Sequence, residues 1–128
     1  MIKAISIPDA PEPVGHYSPA IEHNGLVYVS GQLPIDPHTG QKHTGSIEEQ
    51  TQQVLANLAE VLSAAGSDVG CVLKTTVYVS DIELWDRVNA VYSQFFGTHR
   101  PARIVVPTSK LHYGFNIEIE AIAAVRVR

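Results

Sequence analysis

The sequence predicts an α+β fold in which two helices cover one face of a β-sheet. Three observations predict this class: two segments with apolar residues at helical spacing, several short β-branched runs, and the order of these elements along the chain. That order is β-β-β-α-β-α-β-β. We expect residues 1–128 to form a single domain, since a chain of this length buries roughly two thirds of its unfolded surface.

Three strands are predicted ahead of the first helix. Residues 2–7 form a short leading strand, and residues 17–23 pair with residues 26–30 as a hairpin. The hairpin is predicted because Asn24-Gly25 between these runs is a strong tight-turn dipeptide. Residues 31–45 carry too many Pro and Gly for either regular element and are predicted to form a long loop.

Both helices have start and stop signals. The first begins after Ser46, which forms a Ser-x-x-Glu capping box with Glu49, and it ends at Gly66. The second begins at Asp81 as its N-cap and ends before Gly97. Each helix has one apolar stripe: Val54, Leu55, Leu58, Val61, Leu62 and Ala65 in the first, and Leu84, Trp85, Val88, Val91, Tyr92, Phe95 and Phe96 in the second.

The remaining strands are residues 72–80 between the helices, residues 103–106, and a long last strand over residues 115–125. The helices can cover only one face of this sheet, and the strands are too apolar for the other face to be left in water. The apolar content of residues 72–79 and 117–127 therefore predicts that this second face contacts another subunit.

Charge and composition limit the partners. The formal net charge of −4 leaves no excess of Lys and Arg for binding phosphates, so no nucleic-acid partner is expected. No apolar run approaches a membrane span and residues 1–10 do not resemble a secretory signal, so we expect no membrane partner and a cytoplasmic location. Cys71, the only cysteine, excludes an intrachain disulfide, and the six His residues lack the spacing of a metal site.

A carboxylate pair in the last strand is the most informative feature for function. Period-two alternation places Glu118 and Glu120 together on the face opposite the apolar residues of that strand. Arg103 is the nearest candidate partner, and an Arg and a Glu on adjoining strands would form a small polar site in apolar surroundings. On the residues alone, such a pair is more often an ion pair at an interface than a binding site.

The chain resembles the Rid family, also called YjgF or the reactive intermediate deaminases, over almost its entire length. The motifs that carry the resemblance occur in order and with nearly constant spacing: Gly15-His16-Tyr17-Ser18, Val29-Ser30-Gly31-Gln32-Leu33-Pro34, Lys74-Thr75-Thr76-Val77-Tyr78-Val79, Val88-Asn89-Ala90-Val91-Tyr92, Phe95-Phe96, Pro101-Ala102-Arg103 and Ile117-Glu118-Ile119-Glu120-Ala121-Ile122-Ala123.

This resemblance implies a chorismate-mutase-like fold and a homotrimer whose sheets form a central barrel, with sites in clefts between subunits. It also implies a hydrolytic deaminase of 2-imino and 2-enamino acids, such as 2-aminoacrylate, that releases 2-keto acids and ammonia. The resemblance implies no metal and no organic cofactor.

The same resemblance assigns the site residues. Arg103 corresponds to the Arg that binds the substrate carboxylate, and Glu118 to the acid that activates the attacking water. Tyr17 and Ser30 correspond to residues that line the cleft. Val105 stands where active deaminases commonly have Cys, a residue that contributes largely through its backbone.

Several positions depart from the family pattern or have no chemical role in it. His16 replaces the usual Pro, and Val105 and Pro107 fall in the changed segment after Arg103. Tyr113 lies where many members have a Leu-Pro turn. These changes surround the cleft and bear on the choice of substrate side chain, whereas Asn89 on the second helix is expected to be structural.

Two other functions compete with the deaminase. A trimeric binding protein for small carboxylate metabolites would need Arg103 but not Glu118. A ribonuclease or translation inhibitor, the label of some relatives, is disfavoured by the acidic charge and by the absence of a paired His or Lys constellation.

Overall fold

The computed structural model describes residues 1–126, which form six strands and two α-helices. Their bounds are β1 (Lys3–Ile5), β2 (Ala20–His23), β3 (Leu26–Gln32), α1 (Ile47–Ala64), β4 (Val72–Val79), α2 (Trp85–Phe96), β5 (Ala102–Pro107) and β6 (Ile117–Ala124). The predicted order of elements is confirmed. Val127, counted above in the last apolar run, and Arg128 lie outside the described residues.

The strands form one mixed sheet in the order β1-β2-β3-β6-β4-β5. Neighbouring strands are antiparallel except β4 and β5, which are parallel and are joined by the segment that contains α2. β6 lies between β3 and β4, and β5 is the edge strand beyond β4. The α+β class, with two helices and one sheet, is therefore as predicted, and the sheet is mixed.

Both helices pack on the same face of the sheet, where the core lies. On β6 the predicted apolar set alternates as expected, with Ile117, Ile119, Ala121 and Ala123 all buried. Val77 and Val79 of β4 pair with Ile119 and Ile117 and are also buried, so they extend the same surface. The other face of the sheet carries no helix, and on it Tyr28 and Ile104 are 45% and 52% exposed.

The helix signals are confirmed at three ends and wrong at one. The Ser46 hydroxyl accepts a hydrogen bond from the Glu49 N–H at 3.1 Å, which is one of the two bonds of a capping box. Gly66 and Gly97, with φ of 75° and 63°, follow the ends of the helices. Asp81, however, caps a single 3-10 turn through the Glu83 N–H at 2.9 Å, and α2 begins only at Trp85.

The hairpin is confirmed, but its strands start and end later than predicted. Asn24 and Gly25 both have positive φ, as a tight hairpin turn requires. Residues 17–19 are outside β2 because Pro19 has no N–H to donate to the ladder. β3 continues through Gly31 to Gln32, so the predicted loop begins two residues later.

Candidate functional site

Arg103 is held in place by three residues of α2. Its Nη1 donates a hydrogen bond to Asn89 Oδ1 at 2.9 Å. The guanidinium lies over the rings of Tyr92 and Trp85, with its carbon 4.7 and 5.4 Å from their centroids. Because Trp85, Asn89 and Tyr92 follow one another at helical spacing, a single face of α2 fixes the orientation of the arginine head group.

Tyr92 is itself anchored to the sheet. Its hydroxyl and that of Thr75 on β4 are 2.7 Å apart, and both residues are buried. Burial raises the pKa of Tyr92 above its ordinary value, against the opposing effects of the Thr75 hydrogen bond and the Arg103 charge. The phenol is therefore neutral at physiological pH. It contacts Arg103 through the face of its aromatic ring and does not act as a negatively charged counter-ion.

Glu118 lies on β6, half-buried, on the face without helices. Burial raises the pKa of its carboxyl group above the ordinary value, and the charge of Glu120 raises it further, while His112 acts in the opposite direction. A carboxylate with a raised pKa is a better proton acceptor than an ordinary surface glutamate, and once protonated it can donate that proton again.

A β-bulge in β3 makes room for this carboxyl group. Val29 pairs with Ala121 and Gln32 with Ile119, so Ser30 and Gly31 together oppose the single residue Glu120. A Cβ atom added at Gly31 would lie 3.0 Å from Cδ of Glu118, which is too close for an unstrained contact. The absence of a side chain at Gly31 therefore allows Glu118 to lie against the backbone of β3.

Tyr17 and Ser30 lie close to the same bulge. The Ser30 hydroxyl donates to the carbonyl oxygen of Ser18 at 2.6 Å, which ties the segment after Tyr17 to β3. Tyr17 is 58% exposed and, with Gly31, lines a cavity of about 210 Å³ beneath residues 6–14. The structure thus places Ser30 and Glu118 at the bulge, and Tyr17 in a cavity that Gly31 also lines but that neither Ser30 nor Glu118 lines.

Arg103 and Glu118 are not on adjoining strands, and this expectation was wrong. β4 separates β5 from β6. Arg103 pairs with Thr75, whose side chain is buried beneath α2, whereas Glu118 pairs with Tyr78 on the face without helices. One chain therefore presents its guanidinium and its carboxyl group on opposite faces of the sheet.

Val105 lies two residues beyond Arg103 on the edge strand. Its side chain is partly buried against the core, and Val105 pairs with Val77 of β4. Because β5 pairs only with β4 among the described strands, its outer edge presents backbone donors and acceptors.

Sequence reasoning missed two contributors to these arrangements. Asn89, expected to be structural, contacts Arg103 directly, and its spacing from Trp85 and Tyr92 was the signal for a shared helix face. Gly31 was counted in a loop, and the sequence shows no sign of the bulge.

Tyr113, one of the departures from the family pattern, has an unusual backbone. Its φ is 58°, a left-handed conformation that is uncommon for a bulky residue. Its ring lies against the ring of His112, with centroids 3.8 Å apart and planes tilted by 55°, and Lys42 Nζ lies 4.7 Å from the centroid of the Tyr113 ring. An ordered aromatic pair thus replaces a simple turn just before β6.

Residues 1–126 show neither a metal cluster nor a membrane-spanning helix. Residues 1–126 contain no group of three or more His, Cys, Asp or Glu side chains arranged to hold a metal ion. Neither helix described here combines the length and hydropathy required to cross a bilayer.

Comparison with known proteins identifies the family. The sequence model described as Endoribonuclease L-PSP matches residues 7–125. A RutC family protein of Pyrococcus horikoshii is 44% identical over 123 residues, covering 96% of this chain and 98% of that protein. The human 2-iminobutanoate/2-iminopropanoate deaminase is 41% identical over 121 residues, covering 94% of this chain and 88% of that protein.

Solved structures agree with these matches. The structure of YyfA from Yersinia pestis, described as a member of the conserved Rid protein family, has a TM-score of 0.92 and 43% identity, and covers 98% of this chain and 100% of that one. E. coli TdcF with bound serine has a TM-score of 0.89 and 35% identity, with 98% and 99% covered. This chain therefore belongs to the Rid (YjgF) family.

Proposed function

We propose that this protein is a hydrolytic deaminase that converts reactive 2-imino and 2-enamino acids, such as 2-aminoacrylate, to 2-keto acids and ammonia. The observation that carries the proposal is the fixed Arg103 guanidinium, in a chain 41% identical to a human deaminase named for 2-imino acids. The proposal includes no metal or organic cofactor and a cytoplasmic location, with which a single unpaired cysteine is compatible.

Each reacting group has a stated role in this reaction. Arg103 binds the substrate carboxylate through the donors that Asn89 leaves available, since a planar guanidinium matches a carboxylate bidentately and keeps its charge. Tyr17 and Ser30 line the cleft, and the backbone of Val105 adds polar groups beside Arg103. Glu118 accepts a proton from the attacking water.

The chemistry needs only these groups. As the water oxygen bonds to C2, the electron pair of the C=N bond moves to nitrogen, and Glu118 passes the water's proton to that nitrogen. Glu118 then takes the hydroxyl proton of the resulting carbinolamine and transfers it to the amine. The C–N bond breaks, ammonia leaves, and the carbonyl of the keto acid forms. An enamino acid enters the same route after C3 takes a proton from water and nitrogen loses one to water, which gives the imine.

Assembly of several copies is part of the proposal. One chain holds Arg103 and Glu118 on opposite faces of its sheet, so a complete site needs Arg103 from one copy and Glu118 from another. The helix-free face, where Tyr28 and Ile104 are largely exposed, is the apolar surface available for this contact. We propose a homotrimer in which these faces form the central barrel and the three sites lie between subunits.

Imine trapping tests the activity. An amino-acid oxidase generates 2-imino acids in place, semicarbazide traps them, and an active deaminase diminishes the trapped product. We expect loss of this effect in Arg103→Ala and Glu118→Gln, with circular dichroism unchanged. Equal trapping with and without the unmodified protein across a panel of imino acids would refute the deaminase.

Mixing the two variants tests the intersubunit site. In a closed ring with one site per interface, co-assembly of equal amounts of Arg103→Ala and Glu118→Gln chains leaves roughly a quarter of the interfaces with both native residues. Purification of co-expressed, differently tagged chains on both tags keeps only mixed trimers, in which one interface of three has both native residues, so we expect about a third of native activity. No recovery from verified mixed assemblies would show that both groups act within one chain.

A binding protein for small carboxylates is the second candidate, because TdcF, which has the same fold, was solved with bound serine. Such a protein needs Arg103 but makes no use of a proton carrier. If Glu118→Gln keeps keto-acid binding and loses ammonia release, the enzyme is supported. If no ammonia is released even by the unmodified protein while binding persists, the binding protein is supported.

A further inference from the structure

The cavity beside Arg103 carries more positive charge than a single carboxylate needs. It measures about 480 Å³ and lies between the second half of α2 and the start of β5. Its lining consists of Asn89, Tyr92, Ser93, Phe96, Gly97, His99, Arg100, Pro101 and Arg103. Two of these residues are arginines and one is a histidine, and none is Asp or Glu.

The wall of this cavity is built by specific contacts. His99 Nε2 donates to the carbonyl oxygen of Val72 at 2.7 Å, which attaches the connection between α2 and β5 to the sheet. Arg103 is fixed by Asn89 and by the ring of Tyr92. Contacts of His99 on one side and of Arg103 on the other therefore fix the shape of the cavity.

Arg100 differs from Arg103 in having no side-chain partner among the described residues. It precedes Arg103 by three residues, so their Cα atoms are at most roughly 11 Å apart. No ion pair or side-chain hydrogen bond described for residues 1–126 includes Arg100. By contrast, Arg87 on the same helix forms a bidentate pair with Glu48, at 2.6 and 2.7 Å.

We infer that this cavity binds a dianion, and that the substrates of the site are 2-imino acids whose side chain ends in a second carboxylate. The substrate class rests on the proposed function, whereas the dianion site does not. Arg103 binds the carboxylate next to the imine carbon, and Arg100 binds the carboxylate of the side chain. With no acid in the lining, the ligand supplies the negative charge that balances the two guanidinium groups.

Stable keto acids test the site without turnover. Isothermal titration of the full-length protein compares 2-oxoglutarate, a dicarboxylate, with 2-oxobutanoate, a monocarboxylate of similar backbone. We expect the native protein to bind the dicarboxylate at least about tenfold more tightly, as one additional charge-assisted contact provides. Arg100→Ala lowers the ratio of the two affinities about tenfold, Arg103→Ala weakens both ligands, and Arg100→Lys restores part of the ratio.

Arg87→Ala is the matched control, because it removes the same charge from an exposed position outside the cavity. We expect it to leave the ratio of affinities unchanged. Equal affinity of the native protein for the two ligands would overturn the inference, as would an Arg100→Ala variant with the native ratio or an Arg87→Ala variant that loses it. A preference for the monocarboxylate would overturn it as well.

The imine-trapping assay separates this inference from the proposed function. If the dicarboxylate preference depends on Arg100 and no imine is consumed, the dianion site stands and the deaminase fails. If imines are consumed and the two keto acids bind equally, the deaminase stands and the dianion site fails.

Discussion

Replacing Gly31 by Ala should reduce catalysis while leaving the fold intact. The new Cβ atom would lie 3.0 Å from Cδ of Glu118, and an ordinary contact begins at 3.4 Å. The carboxyl carbon must therefore retreat by at least about 0.4 Å, and the carboxylate oxygen nearer to Gly31 by more. Because displacement of a reacting group by about 1 Å costs up to about 100-fold in rate, we expect kcat/KM to fall by about 10- to 100-fold.

The stability of the same variant should change little. Gly31 has no positive φ, so alanine is compatible with its backbone, and the group that must move is the end of a flexible side chain. Loss of glycine's freedom in the unfolded chain stabilises by about 0.4–1 kcal/mol, which offsets part of the cost of moving Glu118. We expect a Tm within about 5 °C of native in thermal unfolding followed by circular dichroism.

Gly70→Ala provides the control for this substitution. Gly70 also has no positive φ, and its added Cβ meets only Asp68 Oδ1, at 3.3 Å. Imine trapping with this variant should match the native protein. Native kcat/KM in a well-folded Gly31→Ala protein would refute the argument that the bulge in β3 positions the Glu118 carboxyl group for the proposed reaction.

The charges around Glu118 should set the acid limb of the pH profile. Ionised Glu118 is the active form, and Glu120 raises its pKa, so Glu120→Gln should move the limb of kcat/KM to lower pH, whereas His112→Gln should move it to higher pH. Shifts of the same sign in the two variants would contradict this assignment. Asn89→Ala should raise KM for the imino acid about three- to tenfold with a smaller change in kcat, because Arg103 loses its hydrogen-bonded partner. Asn89→Gln, which keeps a neutral amide oxygen as acceptor, should bring KM part of the way back toward native, and a native KM in Asn89→Ala would contradict a positioning role.

Local patterns in the sequence were sufficient to predict most of the fold. The apolar stripes of both helices and the alternation in β6 are set by burial on one face, and the structure shows that burial. Gly66 and Asn24-Gly25 mark a helix end and a turn because their conformations have positive φ. Asp81 was assigned to the wrong element because the same side-chain bond caps a 3-10 turn and an α-helix.

The arrangement of the site depends on information that local patterns do not contain. Which strands are neighbours is a long-range property, so the position of β4 between Arg103 and Glu118 was not visible in the sequence. The bulge at Ser30 and Gly31 depends on how β3 meets β6, not on either strand alone. Resemblance supplied the site residues and the expectation of sites between subunits, but not the contacts of Asn89 with Arg103.

The two-sided placement of Arg103 and Glu118 has a consequence for the cell if the proposed function holds. A newly made or dissociated chain would then have no deaminase activity, because Arg103 and Glu118 of a single chain cannot act on the same substrate. Specific activity should then fall steeply as the protein is diluted below the dissociation constant of the assembly, while each chain stays folded. The rate at which a cell clears imines would thus rise sharply once the protein concentration is high enough for assembly, and would not be simply proportional to the expression level.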